Sequence, residues 1–242
     1  MTLHVRLIDG FELRLDGSPV ELPPSAQRLV AYVGLSEHPV LRPRVAGSLW
    51  LDTSDRQALG SLRSVLWRLR RSGIDLVECV GEQLTLRPDV TVDIRHHLQL
   101  ARALVAGTDR PDPRRHELEH TGELLPDWYD DWVLVERERY RQLRLHALER
   151  LCVDLTRAGM FARAVEVGLL AVAEEPLRES GQRALIRAHL AEGNAGEALR
   201  QYRTYAIGLR EELGLEPSRH MEELVRGIRP ATGSGSVRRR LR

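Results

Sequence analysis

The sequence contains no lysine: all 36 of its basic side chains are arginine. A phosphate-binding loop places a lysine after its glycines, so that class of nucleotide site is missing. No dinucleotide fingerprint, nucleophile elbow or zinc-ligand spacing occurs either, so no cofactor is expected and the chain does not read as an enzyme. Cysteine is scarce. Cys79 and Cys152 have no metal-binding spacing and fall in what read as different domains, which argues against a disulfide and for a reducing cytoplasm. No apolar run approaches the ~20 residues that a membrane-spanning helix needs. The N-terminus, MTLHVRLIDG, lacks a basic segment followed by an apolar stretch, so no secretory signal is read there.

What is present suits roughly two folded domains. The 242 residues are 42% hydrophobic and 29% charged, a profile able to bury real cores. Leu3, Val5 and Leu7 alternate with polar residues, as do Phe11, Leu13 and Leu15, and Val20 and Leu22 resume the pattern. Asp9-Gly10 and Asp16-Gly17 supply the turns between these short strands, and Pro23-Pro24 stops the sheet. Ser25 is then a candidate cap for a helix with Leu29, Val30 and Val33 on its inner face. A second helix is expected from about Arg42 to Trp50, and a third from Asp55 to about Ser72, where Gly73 ends it. A closing hairpin pairs Ile74–Val80 with Gln83–Arg87 through Gly81. Strands, three helices and a hairpin follow one another in the order of a winged helix, expected over residues 1–92.

The third helix carries the chemistry. Ala58, Leu62, Val65, Leu66 and Leu69 form one apolar stripe and must face a core. The opposite face shows Gln57, Gly60, Ser64, Arg68 and Arg71, with Ser61 and Arg63 at its margins. Such a helix suits the major groove of DNA, where arginine matches guanine, glutamine matches adenine and serine serves several bases. Gly60 permits close backbone approach at a helix-propensity cost of roughly 1 kcal/mol. Arg70 and Arg71 read as phosphate contacts, and Arg87 with the 79–85 turn as a wing beside the minor groove. The bland alternative is a solvated basic face. Net charge does not decide the matter, since residues 1–92 hold 11 arginines and 11 acids. Asp130 and Asp131 in WYDDW lack a partnering His, Lys or Gly-rich loop, and Trp128, Tyr129 and Trp132 read instead as core anchors.

Beyond Val92 the pattern is almost wholly helical, expected over 93–229, with a Pro/Arg-rich stretch at 107–115 and a long helix over Trp128–Leu155. Leu151, Gly159 and Ala164 recur 34 residues later as Leu185, Gly193 and Ala198, the tetratricopeptide spacing. The fold class expected is therefore mainly α with small antiparallel β-sheets: a winged helix-turn-helix followed by a tetratricopeptide-like α-helical domain. Residues 230–242 are Gly/Ser-rich and then basic, and read as a disordered tail.

The segments SAQRLVAYVGL, RVAGSLW, LGSLRSVLWRLRR and LLPDWYDDWVLVERERYRQLRLHALE together resemble the Streptomyces antibiotic regulatory protein family of actinobacteria, over about residues 3–228. The resemblance implies an OmpR-type winged helix joined to a bacterial transcriptional activation domain. It further implies a cytoplasmic, nucleoid-associated activator of secondary-metabolite (antibiotic) biosynthesis genes. Such an activator binds promoter direct repeats near the −35 element as side-by-side protomers, a homodimer on DNA, and recruits RNA polymerase with its sigma factor. Carried onto this sequence, the recognition helix is Asp55–Arg71 and the polymerase-contact loop is Trp50, Leu51, Asp52, Thr53 and Ser54. The family often has Asn at the position of Ser61 and Pro at that of Leu51. A protein-binding adaptor and a regulator whose repeat domain holds a small molecule are the competing readings. Deleting residues 238–242, with Arg238, Arg239, Arg240 and Arg242, is expected to flatten the salt dependence of DNA binding in a titration while leaving preference between sequences intact.

Overall fold

The computed structural model describes residues 2–107, 113–120 and 122–228. The basic tail at 230–242 and part of the Pro/Arg-rich stretch lie outside the described residues. The chain divides into two compact units, Met1–Ala147 and Leu148–Arg242.

The first unit opens with β1 (Leu3–Arg6), β2 (Glu12–Leu15) and β3 (Ser18–Val20), an antiparallel meander in which Val5 faces Leu13 and Leu13 faces Val20. The alternation anticipated from sequence puts Leu3, Val5, Leu7 and Leu13 into the core. Helix α1 (Pro24–Leu35) follows. Its cap position is Pro23 rather than the expected Ser25, because Pro24 takes the first helical position, where a missing N–H costs nothing. After α1 come β4 (Val40–Leu41), α2 (Arg42–Leu49) and α3 (Asp55–Arg71), then the hairpin of β5 (Val77–Val80) and β6 (Gln83–Leu86). A third pairing widens that hairpin, since β4 joins β6 with Val40 opposite Leu84.

The strand β7 (Val90–Val92) is the main departure from expectation. It enters the first sheet beside β1 and parallel to it, giving the order β3-β2-β1-β7. A parallel neighbour needs a long crossover, here supplied by the helices and hairpin between β1 and β7. The sheets are therefore not all antiparallel.

Helix α4 (Asp93–Ala106) starts directly from β7. Asp93 accepts from the backbone N–H of Leu7 at 2.9 Å and of Ile8 at 3.0 Å, satisfying the end of β1. Two residues on, the Arg95 guanidinium donates to the carbonyls of Gly34 (2.7 Å), Val33 (3.0 Å) and Ser36 (2.8 Å), which α1 leaves open at its C-terminus. A 3-10 segment spans Pro113–His120. Residues 122–130 then pack on the same core: Leu124 and Leu125 are fully buried, Ile8 bridges Leu124, and the Leu125 N–H donates to the Leu7 carbonyl at 2.9 Å. Leu125 has φ +44°, a conformation costing roughly 1–3 kcal/mol. Arg137 holds it there, donating to the carbonyls of Leu124 (2.8 Å), Leu125 and Trp128 (2.8 Å). The long helix α5 covers Asp131–Arg157, so the helix expected from Trp128 begins three residues later. Trp128 stacks on Phe11 and Trp132 lies edge-on to Tyr32, whereas Tyr129 is 79% exposed and anchors nothing.

In the second unit the end of α5 packs with α6 (Phe161–Glu174), α7 (Glu179–Glu192), α8 (Ala195–Leu213) and α9 (Arg219–Arg226). The 34-residue repeat is realised: Leu151 and Leu185 are buried on the first helices of two hairpins, and Ala164 and Ala198 on the second. Gly159 and Gly193 turn between them with φ of +73° and +92°. Gly168 lets α6 sit tightly, since a Cβ there would lie 3.1 Å from Leu185 and 3.2 Å from Cys152. The Cys152 thiol is pushed up to about 11 by burial, which leaves it unreactive.

Glu179 ties α9 to this stack. It accepts from the Ser218 N–H (2.9 Å), the Ser218 hydroxyl and the Tyr205 hydroxyl (3.3 Å). Burial alone would raise its carboxyl, but the Ser218 and Tyr205 hydrogen bonds and the Arg183 charge hold it below the ordinary 4.5. A depressed folded-state pKa adds stability that is full above the unfolded value and fades as pH falls through the folded one. Glu179→Gln is accordingly expected to lower stability at pH 7 by about 1–2 kcal/mol in urea unfolding, with a smaller deficit at pH 3.

Candidate nucleic-acid interface

Helix α3 runs Asp55–Arg71, the bounds that the family resemblance implied and one residue short of the end read from the pattern. Its start is set by Ser54 and Gln57: the Ser54 N–H and hydroxyl both donate to Gln57 Oε1, at 3.3 and 3.0 Å. One residue of the expected reading face therefore also holds the helix cap. Ala58, Leu62, Val65, Leu66 and Leu69 are all buried, as the apolar stripe demands. This fixes the rotation of the helix. Gln57, Arg63, Ser64, Arg68 and Arg71 are exposed, while Gly60 and Ser61 are half-buried.

The electrostatics of this face differ from the rest of the chain. Arginines elsewhere are largely committed to carboxylates, as in Arg141–Glu138 at 2.9 Å and Arg150–Asp154 at 3.0 Å. None of Arg56, Arg63, Arg68, Arg70 and Arg71 has an ion-pair partner among the described residues. The Arg68 Nε donates to the Ser64 carbonyl at 3.3 Å, and Arg70 reaches Cys79 Sγ at 3.2 Å. A domain with balanced formal charge thus presents a strip of uncompensated cations.

At the centre of the strip stands a residue that the helical-wheel reading passed over. Trp67 is 58% exposed and lies beside Arg63, Ser64 and Arg68 around a shallow depression. The Arg71 guanidinium sits 5.1 Å above its ring. The signal was available: position 67 falls opposite the apolar stripe, where an aromatic side chain has no core to fill. Gly60, one turn before Ser64, is the other anomaly. A Cβ there would meet nothing closer than 3.9 Å, so no internal packing requires glycine.

The remaining expected residues are placed differently. Arg87 lies at the base of the β5–β6 hairpin, away from the Gly81-Glu82 turn. It is paired with Asp75 (3.2 Å) and Asp89 (3.1 Å). The hydrogen bonds it donates to Asp89 and then to Asp75 raise its pKa. It is a clasp for the hairpin and not a free cation at its tip. Trp50 is half-buried against the core, while Leu51, Asp52, Thr53 and Ser54 form an exposed turn in which the Thr53 hydroxyl donates to the Trp50 carbonyl at 3.1 Å. Leu51 is 66% exposed.

Residues 95–229 match the family of the bacterial transcriptional activator domain. The chain is also 30% identical over 197 residues to the regulatory protein AfsR of Streptomyces coelicolor. It belongs to the family of the bacterial transcriptional activator domain, and the likeness to AfsR agrees with the resemblance to the Streptomyces antibiotic regulatory proteins. The AfsR match covers 75% of this chain and 19% of AfsR, so this family member spans about a fifth of that relative. Among solved structures, Mycobacterium tuberculosis EmbR, in complex with a low-affinity phosphopeptide, is similar with a TM-score of 0.73. That likeness covers 93% of this chain and 64% of EmbR at 21% identity, which shows a shared fold of winged helix and helical domain. The family span begins inside α4, whereas compact packing carries the first unit through Ala147.

Gly60→Ala is expected to stabilise this protein by about 1 kcal/mol, a rise of a few degrees in thermal melting, because a helical glycine with open space for a methyl group is being replaced. A fall in melting temperature would give Gly60 a structural role.

Proposed function

We propose that this activator reads promoter DNA with the exposed face of α3. The observation that carries this is the strip of five arginines, without ion-pair partners among the described residues, around an exposed tryptophan on a helix whose opposite face is locked into a core. Arg63, Ser64 and Arg68 contact base edges, with Gln57 and Ser61 flanking them; Arg70 and Arg71 contact phosphates. Trp67 lies over the sugar–phosphate or a thymine methyl, and Gly60 lets the backbone close on the groove. Arg87, already paired with two aspartates, contributes by holding the hairpin.

Two protomers bind side by side on direct repeats near the −35 element, within the cytoplasm at the nucleoid. The exposed turn Trp50–Ser54 contacts RNA polymerase with its sigma factor, offering Leu51 as an apolar tip and Asp52 as a carboxylate. The genes served are those of a secondary-metabolite, antibiotic-type cluster. The family resemblance to AfsR supports these assignments, and the free turn and free arginines are compatible with them. The residues 93–229 act as the activating part.

Gel-shift titration on the repeats upstream of the neighbouring biosynthetic genes tests the reading. Arg63→Ala and Arg68→Ala should each weaken specific binding by roughly 1–3 kcal/mol, and Trp67→Ala by a similar amount, while Arg87→Ala should leave sequence preference unchanged. Equal affinity of the native protein for the promoter and for scrambled DNA would sink the proposal.

A further inference from the structure

Within the first unit, a half-open cavity of about 960 Å³ lies between the C-terminal end of α1 with α2 on one side and α4 with α5 on the other. Its size is at the upper end for sites that enclose small organic molecules. It shares no lining residue with the α3 strip. The interior is mostly apolar and aromatic: Leu35, Leu98 and Leu143 face Tyr32 and Trp132, whose rings meet edge-on with centroids 5.1 Å apart. The lip is apolar too, and open to solvent. Leu41 is 52% exposed and Val135 59%. Side chains of this kind around a concave opening mark a surface that binds something.

The charges at the mouth select the ligand class. Five ionic side chains other than His38 line it, and four of them satisfy one another: Arg102 pairs with Glu37, and Arg139 with Glu136 at 2.8 Å. The fifth, Arg44 on α2, is exposed and has no ion-pair partner among the described residues. The opening therefore carries one uncompensated cation above apolar and aromatic walls. Tyr32 and Ser48 add a hydroxyl pair at 3.0 Å on the α1–α2 side.

We propose that this cavity binds a flat, largely apolar organic anion, its rings against Tyr32, Trp132 and Leu98 and its acidic group on Arg44. Occupancy bridges the two helices that precede α3 to the start of α5, so the ligand stabilises the whole first unit by binding its folded form alone. The site is separate from the DNA-reading surface, and the proposal stands or falls independently of it.

The test uses the full chain and 8-anilinonaphthalene-1-sulfonate, an aromatic sulfonate built on a flat naphthalene ring, as probe. The native protein is expected to give saturable one-to-one fluorescence, excitable through tryptophan, and a melting temperature that rises with probe concentration. Arg44→Glu, at an exposed position, should weaken binding about tenfold or more by reversing the charge at the acidic group. Val135→Trp, on the exposed lip, should block entry to a similar degree while circular dichroism and melting show an intact fold. Absence of saturable binding to the native protein overturns the proposal. So does an affinity unchanged in either variant, which would place the probe on another surface.

Discussion

The first turn of α4 is the knot on which the winged-helix unit depends. Asp93 takes the backbone N–H groups that β1 leaves open at Leu7 and Ile8, and Arg95 fills the carbonyls that α1 leaves open at its end. Both sets are main-chain groups shut away from bulk water, and leaving one unmet costs about 1–3 kcal/mol. With α1 and the sheet held together, the core has a fixed floor. The stripe of α3 seats on it in a single rotation, and that rotation decides which side chains face out. The outward face of α3 is thus set by hydrogen bonds to side chains that never touch it.

The same logic explains the motif LLPDWYDDW, whose acidic and aromatic residues look chemical in sequence. Leu124 and Leu125 are core residues of the winged-helix unit, delivered by a segment with one left-handed leucine. Arg137, from the helix that follows, collects the carbonyls that this conformation exposes. Asp130 is spent on Arg28. Leu124, Leu125, Trp128, Asp130 and Trp132 are the mortar between the sheet, α1 and α5, and Tyr129 alone of the motif's aromatic residues stays out in solvent.

Much of this was readable beforehand, for identifiable reasons. Helix α3 declared itself through a long apolar stripe with a cap before it and glycine after it. The helical repeat did so through Leu, Gly and Ala recurring at one fixed interval. What escaped was short or non-local. Strands β4 and β7 are two and three residues long, too brief for alternation to register, and β7 finds its partner at the far end of the domain. Ser25 looked like a cap until Pro24 claimed the first helical turn. Arg87 looked like a wing cation because sequence spacing cannot show that Asp75 and Asp89 converge on it. Trp67 carries no charge and so does not show in a charge pattern, although an aromatic side chain opposite a complete apolar stripe is itself an anomaly.

The positions of Asp93, Leu124 and Leu125 bear on how such a reader can be inherited. A gene rearrangement joining only residues 1–92 to a foreign partner would deliver a sheet without the carboxylate that seals Leu7 and Ile8. Its core would also gape where two leucines belong. The portable cassette is longer than the part that meets DNA, and recombination that respects it must carry the opening turns of α5 along. On the proposed reading, swapping promoter specificity is cheaper by substitution on one helical face than by exchange of domains.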